Sequence, residues 1–201
     1  MNELACGTSR IVGCRFSVFP MTDRFVEVIV GALESVHTDK VWIHTDDVST
    51  CVRGRAEHVF DVTRAIFAHA AASGVHTVFN GTYSIGCPGD TDADVYMSED
   101  SGVLNSELGP HADIETACQF ALYPLGTEHY MDIIYGEVQR AKEKGTFGGS
   151  VHYASRLDGT LTRVFESLED AFKHAIQTDT SHLVMTAVVS AHSPSPKQNS
   201  V

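Results

Sequence analysis

Two eight-residue stretches of the chain match position for position. Residues 14–21 read Cys-Arg-Phe-Ser-Val-Phe-Pro-Met and residues 118–125 read Cys-Gln-Phe-Ala-Leu-Tyr-Pro-Leu. Each has the alternation of a strand and ends at a proline, which has no N–H to extend a ladder. Each is followed by a Thr and an amphipathic helical stripe. The match continues nearly to the C-terminus, so the chain is expected to be one fold used twice. With two long copies this is a domain duplication, not a solenoid array.

The first copy fixes the element order. Residues 11–19 form a strand with Cys14, Phe16 and Val18 on one face and Arg15, Ser17 and Phe19 on the other. Thr22 or Asp23 can cap the next helix. Its apolar stripe is Phe25, Val28, Ile29, Ala32, Leu33 and Val36. Short strands follow at 41–44 and 48–53, then a helix over 56–72 that Ser73-Gly74 stops, then a strand at 75–85. The order β-α-β-β-α-β defines an α+β ferredoxin-like (ACT-like) unit with an antiparallel sheet. The expected organisation is 1–88 for the first repeat, 89–113 for a linker or excursion, 114–195 for the second repeat and 196–201 for a frayed tail.

In the second copy, Cys118 lies 104 positions after Cys14. From the first helix the offset is 105, so Tyr130, Ile133, Ile134 and Val138 take the places of Phe25, Val28, Ile29 and Leu33. Phe147 replaces Trp42 and Gly159 replaces Gly54. At that offset Met185 and Ala187 fall at the places of Asn80 and Thr82, and one further insertion brings Ser84 onto Ser190.

Composition excludes several classes of function. A formal net charge of −12 opposes binding to nucleic acid, whose phosphates demand a basic face, and to anionic membrane surfaces. No stretch approaches the roughly 20 apolar residues of a membrane span, and residues 1–5 lack a basic leader region. The five cysteines are odd in number and form no C-x-x-C, so neither a disulfide framework nor a zinc ribbon is expected. Cys14 and Cys118 read as small buried hydrophobes. A soluble cytoplasmic protein follows.

Candidate chemistry is sparse. The histidines form no H-E-x-x-H and no cluster with cysteine, so no metal site is expected. Asp90, Asp92 and Asp94 suggest a calcium loop, but Val95 and Ser101 stand where Gly and Glu are required. The run Gly145–Ser150 lacks the Lys-Ser/Thr of a phosphate loop and reads as a tight turn. No G-x-S-x-G appears. Attention therefore falls on the sheet face that the helices leave uncovered, where Arg15, Ser17, Asn80 and Thr82 are an unusually polar set; a ligand or a hydrogen-bonded interface would cover it.

Several longer motifs carry a resemblance. Residues 6–11 (CGTSRI), 15–17 (RFS), 19–21 (FPM), 80–82 (NGT), 84–90 (SIGCPGD), 118–124 (CQFALYP) and 151–155 (VHYAS) are similar to those of the YkoF family of bacterial thiamine- and hydroxymethylpyrimidine-binding proteins. The resemblance spans nearly the whole chain. It implies two ferredoxin-like repeats, a homodimer and a site for the thiamine aminopyrimidine in each repeat; the expected function is non-catalytic binding, with no cofactor. It also implies association with a thiamine-precursor transport system, hence a transporter as partner.

An aminopyrimidine offers a donor amine beside acceptor ring nitrogens, which Asn, Ser and Thr can answer. The expected ligand residues are therefore Arg15, Ser17, Ser49, Thr50, Asn80 and Thr82 in the first repeat, and Gln119, Tyr123, His152 and Ser155 in the second. Phe19 and Trp42 are candidates for an aromatic wall. Ala121 and Ala187 remove hydroxyls, so weaker binding is expected in the second repeat. Two alternatives stand beside this reading: an ACT-like regulatory module sensing another metabolite such as an amino acid, and a pyrimidine-processing enzyme with Cys51 or Cys87 as nucleophile.

Overall fold

A computed structural model describes residues 11–87 and 98–196. The 6–10 motif residues, the acidic 90–94 stretch and the tail beyond 196 lie outside the described residues.

The first repeat runs β1 (Val12–Pro20), α1 (Phe25–Glu34), β2 (Trp42–Thr45), β3 (Thr50–Gly54), α2 (Ala56–Ala71) and β4 (Thr77–Ile85). The second runs β5 (Glu115–Leu125), α3 (Tyr130–Glu143), β6 (Phe147–Val151), β7 (Ala154–Thr160), α4 (Leu161–Ile176) and β8 (His182–Ala191). All pairings are antiparallel, and the strands form one eight-stranded sheet in the order β2-β3-β1-β4-β8-β5-β7-β6. This is two ferredoxin-like units joined edge to edge. The fourth strand of each, an open edge in a lone unit, becomes the centre of the sheet, which removes two templates for uncontrolled pairing.

The register of that seam makes the duplication visible. Gly81 pairs directly with Ala187, and each lies opposite the Phe of its own repeat's first strand, Phe16 and Phe120. They are equivalent residues meeting on a local two-fold axis. The offset along β8 is therefore 106 throughout, one more than the sequence reading assumed. Thr186 and Val188 hold the places of Asn80 and Thr82. Met185 and Ala187 are fully buried beneath the helices, because a shift of one residue turns every side chain of a strand to the other face. The Thr82 hydroxyl is still lost, at Val188 instead of Ala187, while Thr186 puts a hydroxyl at the place of Asn80.

Strand parity otherwise follows the expected pattern. Cys14, Phe16 and Val18 are buried and Arg15 is exposed. In β3 the helix side takes Thr50 and Val52, and Cys51 and Arg53 take the other. Both repeats share one core: Phe60, Phe67, Phe79 and Tyr83 of the first pack against Phe165 and Phe172 of the second. The Tyr83 ring stacks on Phe60 with centroids 4.3 Å apart, and its hydroxyl meets Thr63 Oγ1 at 2.9 Å, so burial leaves no unpaired phenol.

The segment between the repeats is anchored at Asp61. This buried carboxylate accepts from the backbone N–H groups of Leu104 and Asn105, from Asn105 Nδ2 and from Arg64 Nη2. Asn105 also exchanges hydrogen bonds with the backbone of His37, and Leu108 is buried in the core.

Candidate functional site

Each repeat has a cavity at the same place, and strand length creates it. The β1–β3 ladder ends at Phe16 opposite Thr50, whereas β1 remains paired to β4 as far as Pro20. Residues 17–20 therefore have a neighbour on one side only. The Met21 N–H donates to the His76 carbonyl at 2.8 Å, one step beyond the Pro20–Thr77 pair. Bonding direction alternates along an antiparallel strand, so Val18 turns its N–H and C=O to the side that β3 has left. Pro20 faces the same way, where its missing N–H deprives no partner strand.

The gap is closed by α1 above and by the β2–β3 turn at the side. It encloses about 420 Å³, with a floor of Phe16 to Pro20, the Phe25, Ile29, Ala32 and Leu33 side of α1, and residues 45–50 of the turn. This is the size and character of a small-molecule site, mainly apolar with a few convergent polar groups. Among those groups, Thr45 Oγ1 and Thr50 Oγ1 lie 2.9 Å apart.

Arg15 braces the turn from the opposite face of the sheet. Its Nη1 donates to Asp46 Oδ2 at 3.1 Å and to Ser49 Oγ at 2.9 Å. Asp46 Oδ1 accepts from the backbone N–H groups of Val48 and Ser49, both at 2.9 Å. These two amides, followed by Arg15, hold the Asp46 carboxyl below its ordinary range, so it is an anion at the cavity mouth. Ser17 Oγ donates to the Val48 carbonyl at 3.3 Å.

The second cavity has the same construction. The β5–β7 ladder ends at Phe120 opposite Ser155, while β5 continues along β8 to Leu125. Leu122 stands at the place of Val18 and Pro124 at that of Pro20. The cavity encloses about 610 Å³ and is lined by Phe120 to Thr127, by Tyr130, Ile134, Glu137 and Val138 of α3, and by Tyr153 to Ser155. Aromatic side chains replace much of the polar wall of the first.

Of the residues expected from sequence, Ser17, Ser49 and Thr50 line the first cavity, and Tyr123 and Ser155 the second. Arg15 does not line the first; it acts on the turn. Asn80, Thr82 and Gln119 are exposed on the helix-free face, and His152 is an exposed turn residue that lines neither cavity. Phe19 is part of the first wall, whereas Trp42 lies at the other end of β2, 5.6 Å from the Arg53 guanidinium. Cys51 and Cys87 line neither cavity.

Thr45, Asp46, Asp47, Glu137, Tyr130 and Tyr153 were missed. Phe25 and Tyr130 carry the one available signal, since both begin helical apolar stripes and both are about half exposed. Phe25 was expected in the core. It stands off because the space beneath it is the cavity. Among the described residues no group of three or more His, Cys, Asp or Glu is placed to hold a metal ion, and no helix is long and apolar enough to cross a membrane.

Fold and cavities together define a tandem ferredoxin-like protein with one small-molecule-sized cavity per repeat. The chain belongs to the YKOF-related Family, whose model matches residues 11–90 and 115–196. It is 51% identical over 195 residues, 97% of each chain, to a Bacillus subtilis (strain 168) protein named "Putative HMP/thiamine-binding protein YkoF".

Proposed function

We propose that this protein binds thiamine or its hydroxymethylpyrimidine precursor without transforming it, holding the aminopyrimidine in one cavity per repeat. The observation that carries this reading is the paired cavities at equivalent strand ends, in a chain half identical to a relative named for HMP and thiamine binding.

In the first cavity Ser17, Ser49 and Thr50 are the proposed ligand hydroxyls. The free N–H and C=O of Val18 offer a donor beside an acceptor, matching a ring nitrogen beside an exocyclic amine. Asp46 and Asp47 at the mouth suit the positive thiazolium of thiamine. In the second cavity Tyr123 and Ser155 are the proposed ligand residues, with Ala121 and Ala154 in the places of Ser17 and Ser49. The two serine hydroxyls missing at Ala121 and Ala154 support weaker binding there. Neither candidate nucleophilic cysteine lines a cavity, which favours binding over chemistry. We extend the reading, on the family resemblance, to a cytoplasmic homodimer that serves thiamine-precursor salvage and meets a transporter.

A thermal-shift screen tests it. A ligand that binds only the folded state raises apparent stability as RT ln(1 + [L]/Kd). Thiamine and hydroxymethylpyrimidine should raise the melting temperature and a panel of amino acids should not. The reverse pattern would favour a metabolite-sensing module. Consumption of thiamine by the protein would mean an enzyme.

A further inference from the structure

Glu137 has no counterpart in the first repeat. It sits on α3, where the duplication places Ala32 on α1, and both residues are buried beside their cavities. A methyl group in one site is thus a carboxyl in the other. The Glu137 side chain is 7% exposed, and its Oε2 is buried without a hydrogen-bond partner. The nearest cation, Arg140 on the same helix, keeps its Nε 3.5 Å away and is itself half exposed. A buried carboxyl oxygen left open costs stability unless something satisfies it, and the cavity is the open side.

The charged and titratable groups around it are Arg140 on α3, Asp170 and His174 on α4, and the cavity tyrosines Tyr123, Tyr130 and Tyr153. Burial, the largest influence, pushes the Glu137 carboxyl up from its ordinary value.

We propose that Glu137 is the specificity-determining residue of the second cavity, reading a cyclic amidine edge through two hydrogen bonds that share one proton between carboxyl and ring. This deepens the proposed function and rests on it. An exocyclic amine N–H donates to one carboxyl oxygen, while the other oxygen and the adjacent ring nitrogen hold a single proton between them. Whether that proton resides on oxygen or on nitrogen, the complex contains one hydrogen that an ionised carboxylate and a neutral ring lack. Binding at neutral pH therefore takes a proton from the buffer. The first cavity, with Ala32 and strand hydroxyls, binds the same edge without proton uptake. The chain thus carries one proton-linked site and one proton-neutral site.

Titration calorimetry with hydroxymethylpyrimidine at pH 7, in buffers of low and high ionisation enthalpy, reads this directly. Thr50→Val identifies the isotherm of the first site. The second-site enthalpy should depend on the buffer and the first-site enthalpy should not. Glu137→Ala should weaken the second site at least ten-fold and leave the first unchanged. Glu137→Gln, which preserves shape, should abolish the buffer dependence whatever its affinity. Two binding events with the second unaltered in Glu137→Ala, or a buffer dependence that survives in Glu137→Gln, would overturn the assignment while leaving the proposed function intact. No binding to the unmodified protein would remove both.

Discussion

Ala32 and Glu137 occupy the same buried place in the two repeats, each on the helix that roofs its cavity, and they differ by a carboxyl group. Around Ala32 the polar atoms come from strand and turn: Thr45, Ser49 and Thr50. Around Glu137 the helix adds a carboxyl, and strand and turn supply Tyr123, Tyr153 and Ser155. Duplication kept the cavity and changed its chemistry.

Glu137 gives a stability prediction with a definite sign. Burial raises its folded-state pKa above the ordinary glutamate value near 4.5. The folded protein therefore holds this proton more tightly than the unfolded chain. Stability is highest below the unfolded value and falls as pH rises through the interval up to the folded value. In the absence of ligand, Glu137→Gln should be more resistant to urea than the unmodified protein at pH 7. The difference should vanish near pH 4. A variant equally stable at both pH values would show that the carboxyl is solvated.

Asp61 should be among the most costly surface-to-core contacts to delete. It is 4% exposed and accepts from two backbone amides, an asparagine amide and a guanidinium. Asp61→Ala leaves those donors buried, and about 3 kcal/mol of destabilisation follows. Urea denaturation measures it, and hydrogen exchange should show faster exchange at Leu104 and Asn105.

The hydroxyl of Tyr83 meets Thr63 and the Cys14 thiol in the core. Tyr83→Phe should cost about 1 kcal/mol and retain the ring stacking on Phe60. Tyr83→Ala, which opens a cavity at the centre of the shared core, should cost about 3–5 kcal/mol.

Thr50 lines the first cavity, where its Oγ1 meets Thr45 Oγ1 at 2.9 Å, and so reports on the first site. Thr50→Val keeps shape and β-branching and removes the oxygen that meets Thr45. It should weaken the tighter thiamine site by about ten-fold, the equivalent of about 1.4 kcal/mol, with little change in melting temperature. A larger loss of stability than of affinity would make Thr50 a packing residue.

Much of the fold is legible in the residues. The matched Cys-x-Phe-x-aliphatic strands give the duplication, and alternation alone assigns Cys14, Phe16 and Val18 to the helices. The seam is less legible. Ser84 and Ser190 reveal the extra residue in the second copy, but sequence does not say where it enters, and the structure places it before β8. That single position decides whether Met185 or Thr186 faces the core. The cavities were hardest to read. They exist because β3 and β7 stop short of the ends of β1 and β5, and a strand's end relative to its neighbour is a matter of register, which no residue announces. The polar residues of the helix-free face, Arg15, Asn80, Thr82 and Gln119, drew attention because they are polar in strands. Only Arg15 is tied to a cavity, through the Asp46–Ser49 turn.

The measurement that bears most directly on the account is calorimetric titration of the unmodified chain with thiamine. It should show two binding events per chain of unequal affinity, the tighter one weakened about ten-fold in Thr50→Val. A single event, two events of equal affinity, or heats unaffected by changes at Thr50 would contradict it.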